Sequence, residues 1–80
     1  MHKSIHTPAQ RKLQALLREI RREKGLTQAE LAERLRRPQS FVSKYESGER
    51  RLDVIELRQV CRELGMDFVA FARVLERRLR

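Results

Sequence analysis

The sequence has little of what catalytic, secreted or membrane-spanning chains rely on. Its 80 residues include one cysteine, three glycines, two prolines and no tryptophan, and only 5% are aromatic. The single Cys61 excludes an internal disulfide and a CxxC metal site. No apolar run is long enough for a membrane span, and the N-terminus lacks the apolar core of a secretory signal. The glycines form no phosphate-cradling loop and no nucleophile has a histidine neighbour, so we expect no enzyme.

Metal and redox chemistry also have few candidate residues. Cys61 lies among apolar positions of a predicted helix, which favours a packed core thiol over a redox switch. His2 and His6 precede the first predicted helix and have no cysteine nearby, so they are weak metal candidates. We therefore expect no metal and no cofactor. A reducing, cytoplasmic location fits this cysteine usage.

Positive charge is what the chain has in excess. It carries 19 Lys and Arg against 11 Asp and Glu, which gives a formal net charge of +8 and a pI near 11.0. Most of the basic residues are arginines, which bind phosphate bidentately, so the excess suits a polyanionic partner. A length of 80 residues suffices for one small domain and leaves no room for a separate ligand-sensing domain.

Helix start and stop signals predict an all-α fold of five helices. Residues 1–6 read as a flexible leader, and residues 7–80 as a single domain. The predicted helix starts are capping boxes at Thr7, Thr27 and Asp53, a proline at Pro38, and an N-cap at Asp67. The predicted stops are Gly25, Gly48 and Gly65. No alternating strand pattern competes with this interpretation.

The third predicted helix has two different faces. At about 100° per residue, its polar side chains fall within an arc of roughly 140°. The polar residues are Gln39, Ser40, Ser43, Lys44 and Ser47, and the opposite side carries Phe41, Val42 and Tyr45. One face can therefore pack while the other enters a groove, as a recognition helix requires.

The segment from Thr27 to Arg51 resembles a known DNA-binding motif. It matches the pattern TQxELAxxL over Thr27–Leu35 and SxxSxxExGxR over Ser40–Arg50. This is similar to the helix-turn-helix of the lambda-type phage repressors and Cro proteins, the XRE family. The resemblance implies a five-helix lambda-repressor-like domain over roughly residues 12–72, with the helix-turn-helix at residues 28–47.

The resemblance and the residue chemistry together give expected DNA contacts. Gln39 is the leading base reader, because an amide can both donate to and accept from adenine, and Ser40 and Lys44 come next. Lys44 fits either a guanine edge or a phosphate. The expected phosphate contacts are Gln28, Ser43, Arg50 and Arg51, with Lys24, Arg36 and Arg37 as weaker candidates. In the family, the residue at Gln28 often also braces the one at Gln39.

Two further expectations concern Arg21 and Arg36. The resemblance implies that Arg21 pairs with Glu46 and also approaches a phosphate. Arg36 departs from the family, which usually has glycine at this turn. Either Arg36 adopts a strained left-handed conformation, at a cost of roughly 1–2 kcal/mol, or the turn is tighter than usual.

The fifth helix bears on assembly and function. One stripe of this helix consists of Phe68, Phe71, Ala72, Leu75 and Leu79. Val69 and Val74 lie off that stripe and are the expected dimer contacts.

We expect a homodimeric, sequence-specific regulator on a palindromic double-stranded operator, most simply a repressor. Restriction-modification controllers are one small-regulator option. The alternatives are an antitoxin that binds a toxin through this helix, and a nonspecific architectural DNA binder.

Overall fold

The computed structural model describes residues 7–80, which form five α-helices. They are α1 (Pro8–Glu23), α2 (Gln28–Leu35), α3 (Gln39–Ser47), α4 (Val54–Glu63) and α5 (Phe68–Leu79). The predicted all-α, five-helix fold is thus confirmed. The predicted leader, with His2 and His6, lies outside the described residues. Within residues 7–80, no helix combines the length and apolar character needed to cross a membrane.

Local side-chain caps fix where most of these helices begin. Thr27 and Glu30 make both halves of a capping box, as do Asp53 and Glu56. At α1 the Thr7 hydroxyl accepts from the Gln10 N–H at 3.1 Å, and at α5 the Asp67 carboxylate accepts from the N–H of Ala70. These short-range bonds satisfy amides that have no partner inside the helix, which is why the sequence signals located the boundaries.

The core draws on all five helices, with α2 packed on α3 and α4, and α1 packed on α3 and α5. Its buried apolar residues are Leu16, Leu17, Ile20, Leu31, Ala32, Phe41, Val42, Tyr45, Val60, Cys61, Leu64 and Phe71. Ala32 is buried where α2 packs on α3, and a larger side chain there would push the helices apart. Burial raises the pKa of the Cys61 thiol to about 11. Cys61 is therefore a protonated core thiol.

Helix α5 packs on the core through Phe68, Phe71 and Leu75 of the predicted stripe, but its packed face is rotated from the centre of that stripe. Phe71 is buried and Val74 packs against the core, whereas Ala72 is exposed and Leu79 is 40% exposed. The packed face is centred near Phe71, about 50° around the helix from the centre of the predicted stripe. Val74 was therefore wrongly placed off the core side. Val69, at 55% exposed, does face outward.

Candidate nucleic-acid interface

The turn between α2 and α3 contains Arg36. Among the residues that the structure describes, Arg36 is the only one other than glycine with a positive φ. Arg36 has φ 58° and ψ 43°, in the left-handed region, and its N–H donates to the carbonyl oxygens of Ala32 and Glu33. The Arg37 N–H also donates to the Ala32 carbonyl, at 3.0 Å. These bonds terminate α2 and redirect the chain into α3. Of the two expected geometries for this turn, the structure has the strained one.

The polar face of α3 is open to solvent. Gln39, Ser40 and Lys44 are exposed, and within residues 7–80 neither Gln39 nor Lys44 has a side-chain partner. Ser43 is half-buried, and its hydroxyl donates to the Ser40 carbonyl at 3.3 Å. The opposite face of the helix is buried through Phe41, Val42, Tyr45 and Glu46. The structure thus presents the three expected base readers together on one accessible surface.

A buried ion pair holds α3 against α1. The Nε and Nη2 atoms of Arg21 donate to the Glu46 carboxylate at 2.7 and 3.0 Å, and Nη1 donates to the Leu26 carbonyl at 2.8 Å. Arg21 is 7% exposed and Glu46 is 2% exposed. The hydrogen bonds to Glu46 raise the pKa of Arg21. The expected pair is present, but all three guanidinium nitrogens are engaged and buried. The expected phosphate contact by Arg21 stays a prediction, with these nitrogens already engaged within the protein.

Gln28 and Arg18 complete the surroundings of Glu46. The Gln28 amide nitrogen donates to Glu46 Oε1 at 2.9 Å, so its half-buried side chain binds the carboxylate and not Gln39. The expected bracing of Gln39 is therefore absent, while the expected phosphate contact by Gln28 stays a prediction. Arg18 donates from Nη2 to the Glu46 backbone carbonyl at 3.0 Å. Sequence reasoning missed Arg18, although its position three residues before Arg21 places it on the same face of α1.

Arg50 has a structural partner where a phosphate contact was expected. Its Nη1 and Nη2 atoms donate to the two Glu56 carboxylate oxygens at 3.0 and 2.8 Å, and Nη1 also donates to the Arg51 carbonyl. Its guanidinium carbon lies 4.8 Å from the centre of the Phe41 ring. Arg50 therefore has a role in the fold, and its expected phosphate contact stays a prediction. Arg51 is exposed.

Glu56 has a second role that sequence reasoning missed. It was identified as the third residue of a capping box, yet it also pairs with Arg50 and, at 3.4 Å, with Arg37. The hydrogen bonds from Arg50 outweigh partial burial and lower the pKa of Glu56 to about 2. An acidic residue in a strongly basic segment was the signal available in the sequence. No metal-binding group of three or more His, Cys, Asp or Glu occurs in the described part of the chain.

Comparison with known proteins decides the family. A family model described as helix-turn-helix matches residues 17–71, more than half of the chain. A solved XRE-family like protein from Pseudomonas syringae pv. tomato str. DC3000 is 51% identical, with a TM-score of 0.86, and the match covers 96% of this chain and 94% of that one. The protein belongs to the XRE family of helix-turn-helix proteins. No curated protein sequence matches it.

Other solved XRE-type structures share the fold at lower identity. The wild-type restriction-modification controller protein C.Esp1396I is 26% identical, with a TM-score of 0.84, and the match covers 92% of this chain and 97% of the controller. The same controller is known as a tetramer in complex with its natural 35 base-pair operator, matched at 26% identity and a TM-score of 0.82 over 90% and 95% of the two chains. These structures extend the likeness through all five helices.

Proposed function

We propose that this XRE-family protein is a sequence-specific, double-stranded DNA-binding transcriptional regulator. The observation that carries the proposal is the exposed polar face of α3, backed by a buried face that ties it to the core. In a helix-turn-helix, the second helix enters the major groove with its N-terminal residues at the base edges. Gln39 and Ser40 occupy that N-terminal turn here, and Lys44 follows one turn later.

The proposed contacts divide into base readers and backbone contacts. Gln39, Ser40 and Lys44 read base edges, with Gln39 suited to adenine and Lys44 to guanine. Ser43 and Arg51 contact phosphates beside them. The Gln28 side chain binds Glu46, so we assign the phosphate contact near Gln28 to the main-chain N–H groups at the start of α2. Pro38 gives α3 no side-chain cap, which leaves the Gln39 and Ser40 amides to the DNA, since the Phe41 amide donates to the Pro38 carbonyl.

The regulator is proposed to act as a homodimer through α5. Val69 is 55% exposed at one side of a groove that also includes charged residues of both signs: Arg73, Glu76, Arg77 and Arg80. Such a surface can pair with its own copy about a two-fold axis, because each acidic side chain can meet a basic one. The operator-bound tetramer of C.Esp1396I supports assembly on DNA in this family.

A dimer of this kind would read a palindromic operator in the cytoplasm and repress by occupying it. Its occupancy would follow its own concentration, because dimer formation depends on that concentration. The antitoxin alternative gains no support from the XRE-family like protein or from the restriction-modification controller described above.

Selection of bound sites from a random DNA pool tests this proposal. We expect enrichment of a palindrome whose half-sites lie about one helical turn apart. Recovery of DNA without any enriched motif would support an architectural binder, and no recovery above background would contradict DNA binding altogether.

A further inference from the structure

Four side chains form a network that joins both ends of α3 to the start of α4. Glu56 lies at its centre, with Arg50 at 2.8 Å and Arg37 at 3.4 Å from the same carboxylate oxygen. Both guanidinium groups also lie against the Phe41 ring, at 4.3 Å for Arg37 and 4.8 Å for Arg50. We call these four residues the Glu56 cluster. Its members come from the turn, the recognition helix, the following loop and α4.

The cluster places two positive charges beside the reading surface. Arg37 lies two residues before Gln39, and Arg50 lies two residues after Gly48, which ends α3. Their side chains are 39% and 37% exposed, so both remain within reach of solvent and of a bound polyanion. Glu56 is much less exposed, at 14%, and its carboxylate faces the two arginines.

We propose that Glu56 is a specificity-determining residue that restrains Arg37 and Arg50 and thereby weakens binding to random DNA. This inference rests on the proposed function. It adds Glu56, which contacts no base in the proposed complex, to the residues that determine specificity. Binding to random DNA comes almost wholly from cations that neutralise phosphates. An arginine tied to a carboxylate contributes less to that attraction than an untied one, because pairing offsets its charge and limits its reach.

Operator binding should not gain in the same way when the restraint is lost. In a specific complex, the base contacts of α3 fix the position of the protein on the DNA. An arginine released from Glu56 can then reach only the few phosphates beside that position. A random complex has no fixed register, and a mobile arginine can reach whichever phosphate is near. The two guanidinium groups against Phe41 also support the N-terminal part of α3, which the base contacts require.

The negative charge of Glu56, more than its shape, serves this role. The capping box needs only one acceptor oxygen for the Asp53 N–H, at 3.0 Å from Glu56 Oε1, and glutamine supplies that oxygen equally well. The two arginines, by contrast, are held by the negative charge of the carboxylate, which glutamine lacks. Because its pKa is about 2, the Glu56 carboxylate stays charged at every pH near neutrality, and the restraint is permanent.

The test compares Glu56→Gln with a matched control, Glu19→Gln. Glu19 also binds an arginine bidentately, with Arg78 at 2.9 and 3.0 Å, but lies on α1 and away from the recognition helix. Both variants change the net charge equally and release one bidentate arginine. Binding is measured on the selected operator and on a random duplex of equal length, across a salt series, after a thermal melt shows each variant folded.

We expect Glu56→Gln to bind the random duplex about fivefold more tightly near 0.1 M salt, with a salt slope steeper by about one unit. Operator affinity should not increase, so the operator-to-random ratio falls by a similar factor. Glu19→Gln should leave the ratio unchanged. Equal changes on both duplexes, equal changes in both variants, or no change in ratio and slope would each overturn the inference. Failure of the wild type to prefer any sequence would instead overturn the proposed function.

A second variant keeps the inference testable if Glu56→Gln does not fold. Arg37→Gln removes one of the restrained arginines and leaves the capping box and the Arg50 pair in place. If Glu56 restrains Arg37, the salt slope on random DNA should fall by well under the one unit expected for an active phosphate contact. A loss of a full unit would show that Arg37 already neutralises a phosphate and would overturn the inference.

Discussion

Arg21 of α1 and Glu46 of α3 meet in a buried two-point ion pair, although they lie 25 residues apart in the chain. The pair ties the back of the recognition helix to α1, outside the helix-turn-helix itself. Gln28 adds a third hydrogen bond to the same carboxylate. The orientation of the polar face of α3 therefore depends on Arg21 and Gln28, which lie outside that face.

Replacing Arg21 should destabilise the fold strongly. Arg21→Ala leaves the Glu46 carboxylate buried without its main partner, and we expect the free energy of unfolding to fall by about 3 kcal/mol. Urea denaturation measures it. Arg78→Ala, which breaks the exposed pair with Glu19, is the control and should change stability little. Similar small losses in both variants would mean that the Arg21–Glu46 pair contributes no more than a surface contact.

The left-handed Arg36 makes a stabilising substitution available. Arg36→Gly removes the steric cost of a side chain at φ 58° but adds freedom to the unfolded chain. We expect a net gain of about 0.5–1 kcal/mol, seen as a higher melting temperature. Gly65→Ala makes the opposite change at φ 74°, where the new Cβ meets no neighbour, and should lower the melting temperature. An unchanged or lower value for Arg36→Gly would contradict strain at this turn.

The caps and the buried pair were predictable from the sequence for different reasons. Each cap joins residues three positions apart, so Thr27 and Asp53 could be recognised from their immediate neighbours. The pairing of Arg21 with Glu46 came from resemblance to a family and not from periodicity. The partner of Gln28 depends on how closely α2 approaches α3, and that of Arg50 on how the loop before α4 folds; no local pattern encodes either.

The rotation of α5 shows the same limit in packing. The apolar residues of this helix cover more than one face, so its periodicity allowed several inward directions. Contact with α1 selected the direction that buries Phe71 and brings Arg78 to Glu19. In this rotation Val74 also packs against the core, while Ala72 is exposed to solvent.

Glu56 should give the protein an acid-sensitive component of stability. Its pKa falls from an ordinary 4.5 to about 2 in the folded chain, so the charged form is favoured by folding. That contribution is fully present above pH 4.5 and is lost as the pH falls towards 2. Melting temperatures of wild type and Glu56→Gln should therefore converge over this window. A constant difference between them down to pH 2 would contradict the pairing with Arg50.

Val69 offers a test of the proposed dimer. Val69→Glu replaces the exposed apolar residue of the proposed α5 interface with a charge, which opposes apolar contact between the two copies. We expect the sedimentation coefficient to change from that of a dimer to that of a monomer. Val54→Glu is the control, because Val54 is similarly exposed, at 61%, but lies on α4. A dimer that survives Val69→Glu would place the interface elsewhere.

The most direct test of DNA reading is the effect of Gln39→Ala on two duplexes, the selected operator and a random sequence. If the polar face of α3 reads bases through Gln39, the variant should lose about 1–3 kcal/mol of binding free energy on the operator and almost nothing on random DNA. Gln59→Ala, an exposed amide on α4, should affect neither duplex. Equal losses for Gln39→Ala on both duplexes would contradict its role as a base reader.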